Sequence, residues 1–310
     1  MGKSTELTAK HNMKDFGRLL TAMVTPFNNN GEVDFGQAKK LAKALLDSGS
    51  DGVVVSGSTG ESATLTVAEK LKLFAEVKSA IGQQGIVIAG TGTYSTRDSI
   101  ELTKEAEKIG VDGCLLVVPY YNKPVQEGIY QHFKTIAEAT RLPCILYNVP
   151  SRTVANMALE TVTRLCKIDN IIALKESSAN YEQIAGIIEA TGKDFMVYSG
   201  NDSDTLPIMS MGGYGAISVA SHLVGLKIKQ MINLYLAGDQ NQAAQIHRDL
   251  IGLEKALFVV SNPIPIKYAL NYLGMPVGKP RLPLTEADEK SKTFIKESLA
   301  HYHIDLPIKA

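Results

Sequence analysis

The feature that most constrains this chain is a repeat in which short apolar runs alternate with segments of helical spacing. The runs begin at Leu19 (LLTAMVTP), Asp51 (DGVVVSG), Ile86 (IVIAGTG), Asp112 (DGCLLVVP), Pro143 (PCILYNVP), Asn170 (NIIALKES), Phe195 (FMVYSG) and Gly215 (GAISV). They lack the in–out alternation of a half-solvated strand, which is the pattern of strands buried on both faces of a parallel sheet. Between them the apolar spacing predicts helices from Phe35 to Gly49, Thr66 to Gly82, Ser95 to Gly110, Val125 to Thr140, Ala158 to Lys167, Tyr181 to Thr191 and Leu206 to Gly212. Thr66, with Glu69 three positions on, has the form of a capping box. Eight such repeats of about 25–30 residues predict a (β/α)8 TIM barrel. A doubly wound sheet is the competing fold. It usually has fewer strands and a Gly-x-Gly-x-x-Gly turn after the first, and no such turn follows Thr25.

After Gly238 the strand signal stops, and NQAAQIHRDLIGLEKALFV, PIPIKYALNYLG and EADEKSKTFIKESLAHY read as consecutive helices. The expected organisation is therefore a catalytic barrel over residues 15–238. A C-terminal helical extension over 239–310 would pack on the barrel or on another subunit. Residues 1–14 are polar and patternless and read as a disordered leader or expression remnant, with Met13 as a native start. Lys+Arg and Asp+Glu balance at 32 each, so there is no basic surplus to neutralise phosphates, and nucleic acid is not an expected partner. No apolar run approaches the roughly 20 residues of a membrane span, and the first residues lack the apolar core of a signal peptide. Cys114, Cys144 and Cys166 sit in apolar segments without ligand spacing, which points to a reducing, cytoplasmic setting.

In a barrel of this kind functional groups lie at the C-terminal ends of the strands. Those ends carry Thr25, Ser58–Thr59, Thr91–Gly92, Tyr120–Tyr121, Tyr147, Lys175–Glu176, Ser199–Gly200 and Ile217–Ser218. The set is rich in hydroxyls and contains one lysine. It has no cluster of metal ligands and no histidine for a Ser-His-Asp triad. Lys175 is the centre of this reading. An ammonium beside a buried strand is costly, its pKa is expected to fall, and a neutral amine is a nucleophile toward carbonyls. The plain alternative is an ion pair with Glu176 or another carboxylate, or a side chain that snorkels to the rim.

Three stretches bear on that choice. GSTGES (Gly57 to Ser62) has small residues whose amides and hydroxyls can hold a carboxylate, or it is a simple βα turn. LYNVPSR sets Tyr147 at a strand end with Arg152 five positions on. A proton relay and a bidentate carboxylate clamp are possible there, as are ring packing and a surface arginine. PYYNKP places Tyr120 and Tyr121 together, more typical of packing or an interface.

GSTGES, GTG, PYYNKP, QEGIYQHF, LYNVPSRT, LKES, YSGND, GAISV and NPIPIK, in this order, closely resemble the dihydrodipicolinate synthase family, from about Leu19 to Leu284. That family belongs to the pyruvate-dependent class I aldolases, with the N-acetylneuraminate lyases and the keto-deoxy sugar-acid aldolases. The resemblance implies that Lys175 forms a Schiff base with pyruvate, with no cofactor beyond that covalent adduct and no metal. Ser58 and Thr59 match the positions that hold the pyruvate carboxylate. Tyr147 matches a proton-relay tyrosine working through Ser58 and through a tyrosine of a neighbouring subunit that matches Tyr121. Arg152 matches the residue binding the carboxylate of aspartate semialdehyde, and Gly200 and Ile217 match positions lining the pyruvate pocket. A homo-oligomer is implied, barrels pairing into dimers and often tetramers.

Two departures from the pattern matter. Most synthases of the family have threonine where this chain has Ser58, and serine is common in the neuraminate lyases. Arg152 points back to the synthases, leaving a sugar-acid aldolase, or a non-catalytic barrel that binds a keto acid, as alternatives. Lysine-inhibited members bind lysine with two histidines, an asparagine and a glutamate. Here those positions hold Val67, Lys70, Tyr94 and Asp98, so the expectation is weak inhibition by lysine or none.

Overall fold

The computed structural model describes residues 15–308; the expected leader at 1–14 lies outside the described residues. Eight parallel strands close into a barrel in sequential order, β1 (Leu19–Ala22), β2 (Gly52–Val55), β3 (Ile86–Gly90), β4 (Gly113–Val117), β5 (Cys144–Asn148), β6 (Ile171–Glu176), β7 (Met196–Ser199) and β8 (Gly215–Ser218). The first four helices are α1 (Phe35–Asp47), α2 (Val67–Ile81), α3 (Thr96–Ile109) and α4 (Gln126–Glu138). Then come α5 (Pro150–Thr153), α6 (Leu159–Leu165), α7 (Tyr181–Thr191), α8 (Thr205–Ser210) and α9 (Ser221–Leu236). The C-terminal part adds α10 (Gln240–Leu257), α11 (Ile264–Tyr272) and α12 (Glu289–Leu299). The (β/α)8 TIM barrel with a helical C-terminal part is thus the observed fold. Thr66 and Glu69 form the expected capping box at α2. No described helix is long and apolar enough to cross a membrane.

The absence of a period-two pattern in the strands has a direct cause. Successive residues enter two separate apolar clusters: Leu115 and Ile145 fill the barrel interior, while Leu116 and Leu146 pack against the helices. Both strand faces are buried, so both select apolar side chains. Phe16, fully buried, joins the interior cluster, and Tyr198 reaches Gly17 O with its hydroxyl at 2.8 Å. The register between β5 and β6 slips by one residue near Cys144, at the start of the two strands, so that Tyr147 pairs with Lys175 instead of Leu174. A one-residue slip exchanges the faces of a strand.

Two local features escape the sequence pattern. The four-residue α5 follows β5 directly, its backbone closed by Arg152 N–H and Thr153 N–H donating to Val149 O. Helix α9 is broken at Val224, and Asp305 bridges the break: its N–H donates to Leu223 O, and its carboxylate accepts from Lys227 N–H. The C-terminal helices share the outer apolar cluster with the barrel, through Leu250, Leu253, Leu257, Ile266 and Leu270. The boundary expected at 238/239 falls at the turn after α9, where Gly238 has φ +89°.

On its inner face α10 carries Glu254, whose Oε2 is buried without a hydrogen-bond partner. Burial, reinforced by the charges of Asp202 and Asp204, pushes its carboxyl up to about 8. An unfolded glutamate titrates near ~4.3. Between those values the native chain binds more protons than the unfolded chain, so this group's stabilising contribution is full below the unfolded pKa and is lost as pH rises through the folded one. Glu254→Gln, which cannot ionise, should therefore gain on wild type as pH rises from 5 to 8, by on the order of 1–3 kcal/mol. Urea unfolding at the two pH values measures this, and a pH-independent difference would contradict it.

Candidate active site

Strand alternation places Lys175 inside the barrel mouth and Glu176 outside it. Glu176 accepts both Asn148 Nδ2, at 3.0 and 3.1 Å, and Ser178 N–H, at 2.7 Å; burial pushes its carboxyl up. It is therefore turned away from Lys175, and the simple ion-pair alternative does not hold. Among the described residues Lys175 has no carboxylate within ion-pair distance, although it is only 5% exposed. Its Nζ lies 4.4 Å from the centroid of the Tyr147 ring, on the neighbouring strand. A second buried lysine, Lys267, is by contrast paired to Glu61 at 2.8 Å. An amine without a carboxylate partner in the barrel mouth is available to add to a carbonyl.

The walls around this amine are closely fitted. A Cβ at Gly200 would lie 3.0 Å from Lys175 Cε and 2.0 Å from Ser177 Oγ, so any side chain there collides with the lysine's own space. Beyond Gly200, the carboxylate of Asp202 accepts from the Ser218 hydroxyl and from Val219 N–H and Ala220 N–H at 3.1 and 3.0 Å. This ties the end of β7 to the end of β8. Burial raises the Asp202 carboxyl against those bonds and the nearby Lys175 charge.

The GSTGES loop is more than a simple turn. Glu61, in the left-handed region at φ +55°, ends it by accepting from Lys267 Nζ and from Arg281 N–H, both at 2.8 Å. Thr59 Oγ1 accepts from Asn262 Nδ2 at 2.9 Å. Arg152, carried by α5, donates from Nη2 to Asn262 O at 3.1 Å. The loop after β2, the helix after β5 and the C-terminal segment are thereby joined over the mouth.

These elements enclose a cavity of about 160 Å³ lined by Ser58, Thr59, Tyr147, Arg152, Lys175, Gly200 and Asn262 among others. A larger compartment of about 360 Å³ adjoins it and shares Ser58, Tyr147, Arg152 and Asn262. Together they form a cleft of the size that holds small metabolites. Six of the eight residues expected from the sequence converge here. Ile217 does not line either compartment; it is fully buried in the interior cluster that also holds Tyr147. Tyr121 stands apart as well, 93% exposed with φ +74°, whereas Tyr120 lines the larger compartment and packs edge-on to Tyr94 at 5.3 Å.

Sequence reasoning missed Asn262, along with Phe258 and Asn201 in the wall. Asn-Pro before a helix signals a turn, but nothing local tells which cleft that turn will close. No described histidine lines the cleft. His222 is locked behind it, Nε2 accepting from Val24 N–H at 3.1 Å and Nδ1 bonded to Val219 O at 2.9 Å, and burial pulls it down to about 4. Among the described residues no three His, Cys, Asp or Glu side chains gather as a metal-holding group.

Comparison with known proteins gives a consistent result. The profile of the dihydrodipicolinate synthetase family matches residues 15–302. A 4-hydroxy-tetrahydrodipicolinate synthase of Dehalococcoides mccartyi is 65% identical over 297 residues, 96% of this chain and all of the relative. The structure of the Cyanidioschyzon merolae dihydrodipicolinate synthase with lysine bound is 50% identical, with a TM-score of 0.91 over 92% of this chain and 98% of that one. A dihydrodipicolinate synthase structure from Bacillus anthracis superposes with a TM-score of 0.92 at 46% identity, over 94% and 100% of the two chains. With the buried, unpaired Lys175 facing Tyr147 under an arginine-bearing rim, these matches establish that the chain belongs to the dihydrodipicolinate synthetase family.

Proposed function

We propose that this chain is a Schiff-base-forming lyase that condenses pyruvate with aspartate semialdehyde to 4-hydroxy-tetrahydrodipicolinate, the committed step toward diaminopimelate and lysine. The observation that carries the reading is the amine of Lys175, without a carboxylate partner, in a cleft at the barrel mouth that Arg152 also lines. The Lys175 amine adds to C2 of pyruvate and water leaves, giving an iminium. The iminium withdraws electrons from the adjacent methyl, which loses a proton and becomes a nucleophilic enamine. Its C3 bonds to the aldehyde carbon, whose oxygen takes up a proton. The amine of the adduct then adds to C2, and the Lys175 amine leaves as the ring closes.

Each step calls on a group within reach of the cleft. Ser58 and Thr59 hold the pyruvate carboxylate, and Arg152 holds that of the aldehyde substrate. The Tyr147 hydroxyl has no protein hydrogen-bond partner among the described residues, which leaves it free to relay protons with Ser58. Ile217 supports the pocket from beneath. No cofactor takes part beyond the covalent adduct. Borohydride reduction in the presence of pyruvate should place a three-carbon adduct on Lys175, located by peptide mass spectrometry. Lys175→Ala should lose the adduct and most of the turnover; a folded wild-type protein that is not trapped would overturn the reading.

We assign the exposed Tyr121 to the site of a second copy of this chain, the enzyme working as a dimer or as a tetramer of paired dimers. Its 93% exposure, its left-handed backbone, the exposed Val125 four positions on and the exposed Tyr94, whose carbonyl accepts from Asn122 Nδ2 at 3.0 Å, support an interface on this face. Tyr121→Phe should lower turnover while leaving borohydride trapping intact, and wild-type turnover in that variant would argue against the shared tyrosine. The thiols of Cys114 and Cys144, 3.5 Å apart and not joined in a disulfide, fit a cytoplasmic enzyme.

We also propose that lysine inhibits weakly, a reading supported by two residues of α2. Lys70 is buried to 8% exposure, and desolvation pulls its ammonium down; the exposed Val67 one turn before it offers no hydrogen bond. Where Lys70 is charged it repels a ligand ammonium brought beside it. Millimolar lysine should leave most of the activity, whereas a submillimolar inhibition constant would refute this.

A further inference from the structure

Of the polar side chains that follow Gly200 at the end of β7, Asn201 lines the smaller compartment with Lys175 and Arg152, whereas Asp202 and Asp204 are buried and line neither compartment. Asn201 Nδ2 donates to Asp204 Oδ2 at 2.8 Å. A carboxylate accepts and does not donate, so this bond sets the amide nitrogen on Asp204 and turns the amide oxygen away from it. Asp204 is itself held at Oδ1 by the Tyr181 hydroxyl of α7, at 2.8 Å. The backbone carbonyl of Asn201 accepts from the Ser199 hydroxyl at 2.6 Å and from Asp204 N–H at 3.1 Å. Only Oδ1 of the amide has no partner among the described residues, and it is not enclosed: accessible surface remains on it.

We propose that Asn201 Oδ1 accepts a hydrogen bond from the nitrogen of the second substrate, and that this contact selects an amino aldehyde over one without nitrogen. The inference deepens the proposed reaction with aspartate semialdehyde and rests on it. Lys175 and Arg152 can only donate, and the hydroxyls of Ser58 and Tyr147 donate or accept. The Asn262 amide is bonded to Thr59. An amino-acid head presents a carboxylate, which accepts, beside an ammonium, which donates. With Arg152 on the carboxylate, the nitrogen calls for an acceptor nearby. In a compartment of about 160 Å³ one small molecule can reach both Arg152 and Asn201.

An amide bonded to a carboxylate suits this task better than the carboxylate itself. Hydrogen bonds in series polarise one another, so Asp204 strengthens Oδ1 as an acceptor while its own charge stays out of the compartment. A carboxylate inside would pair with the Arg152 guanidinium in place of the substrate. It would also favour the charged ammonium, and the nitrogen has to lose a proton before it adds to C2.

The test uses enzyme trapped with pyruvate and borohydride, in which the reduced adduct on Lys175 cannot form an enamine. Calorimetry measures the binding of aspartate semialdehyde, and of succinate semialdehyde, which lacks only the amine, to trapped wild type and trapped Asn201→Ala. Wild type should bind the amino aldehyde about tenfold or more tightly, the range of one hydrogen bond to a charged group. Asn201→Ala should weaken aspartate semialdehyde by a similar factor, leaving succinate semialdehyde within about twofold and pyruvate trapping unchanged. In turnover, kcat/KM for aspartate semialdehyde should fall in parallel. Asn201→Leu, close in volume, serves where the alanine variant does not fold. Equal losses for the two aldehydes, or a preference that survives the substitution, would overturn the proposal and reduce Asn201 to a brace for Asp204. Equal affinity of wild type for the two aldehydes overturns it whatever the variants do. Failure of trapping in wild type overturns the reaction itself, and this inference with it.

Discussion

The cleft depends on one buried ion pair. Lys267 Nζ and Glu61 Oε1 meet at 2.8 Å, each side chain 1% exposed. Taking both charges out of water is costly, and burial accordingly pulls Lys267 down to about 8 while the Glu61 charge opposes the fall. The pair persists because its other valences are filled. Lys267 also donates to Lys279 O and lies 4.1 Å from the Phe27 ring centroid, and Glu61 also accepts from Arg281 N–H. Arg281 in turn holds Glu69 of α2, whose carboxyl it pulls down to about 2. The loop that carries Ser58 and Thr59, the start of α11 and the stretch near Arg281 are therefore held as one unit, and Asn262, five residues before Lys267, is delivered to Thr59 and Arg152. Such a pair contributes placement more than net stability.

The molecule uses two buried lysines in opposite ways. Lys267 is neutralised by a partner and fixes geometry. Lys175 has the Tyr147 ring and the more distant charge of Asp202, whose own carboxyl is committed to Ser218 and two backbone N–H groups. The difference is set by where the adjacent carboxylates point. Glu176 is one residue from Lys175 in sequence but on the opposite face of the strand, spent on Asn148 and Ser178. Leaving one amine unmatched while every neighbouring acid is engaged is what makes it available to a carbonyl substrate.

The same economy explains the glycine and the register slip. Gly200 leaves the volume that the Lys175 side chain occupies, and the slip between β5 and β6 sets Tyr147 level with Lys175. Neither is visible as a functional motif in isolation. Both are conditions on backbone approach, and they act only once neighbouring strands lie about 4.8 Å apart.

Much of this protein was legible in its sequence because a parallel barrel converts linear order into spatial order. Apolar runs alternating with helical spacing gave eight strands, and the C-terminal ends of those strands face one mouth, so Ser58, Tyr147, Lys175 and Gly200 had to converge. Arg152 followed because it lies only five residues beyond Tyr147. What the linear pattern could not decide was pairing over long distances. Whether Lys175 met a carboxylate depended on side-chain direction, the depth of Ile217 on its place within the interior layers, and the exposure of Tyr121 on a left-handed turn. The arrival of Asn262 at Thr59, 203 positions away, depended on the buried ion pair. Local periodicity fixes which residues share a face; which partners those faces meet is decided by packing, where each contact is conditional on all the others.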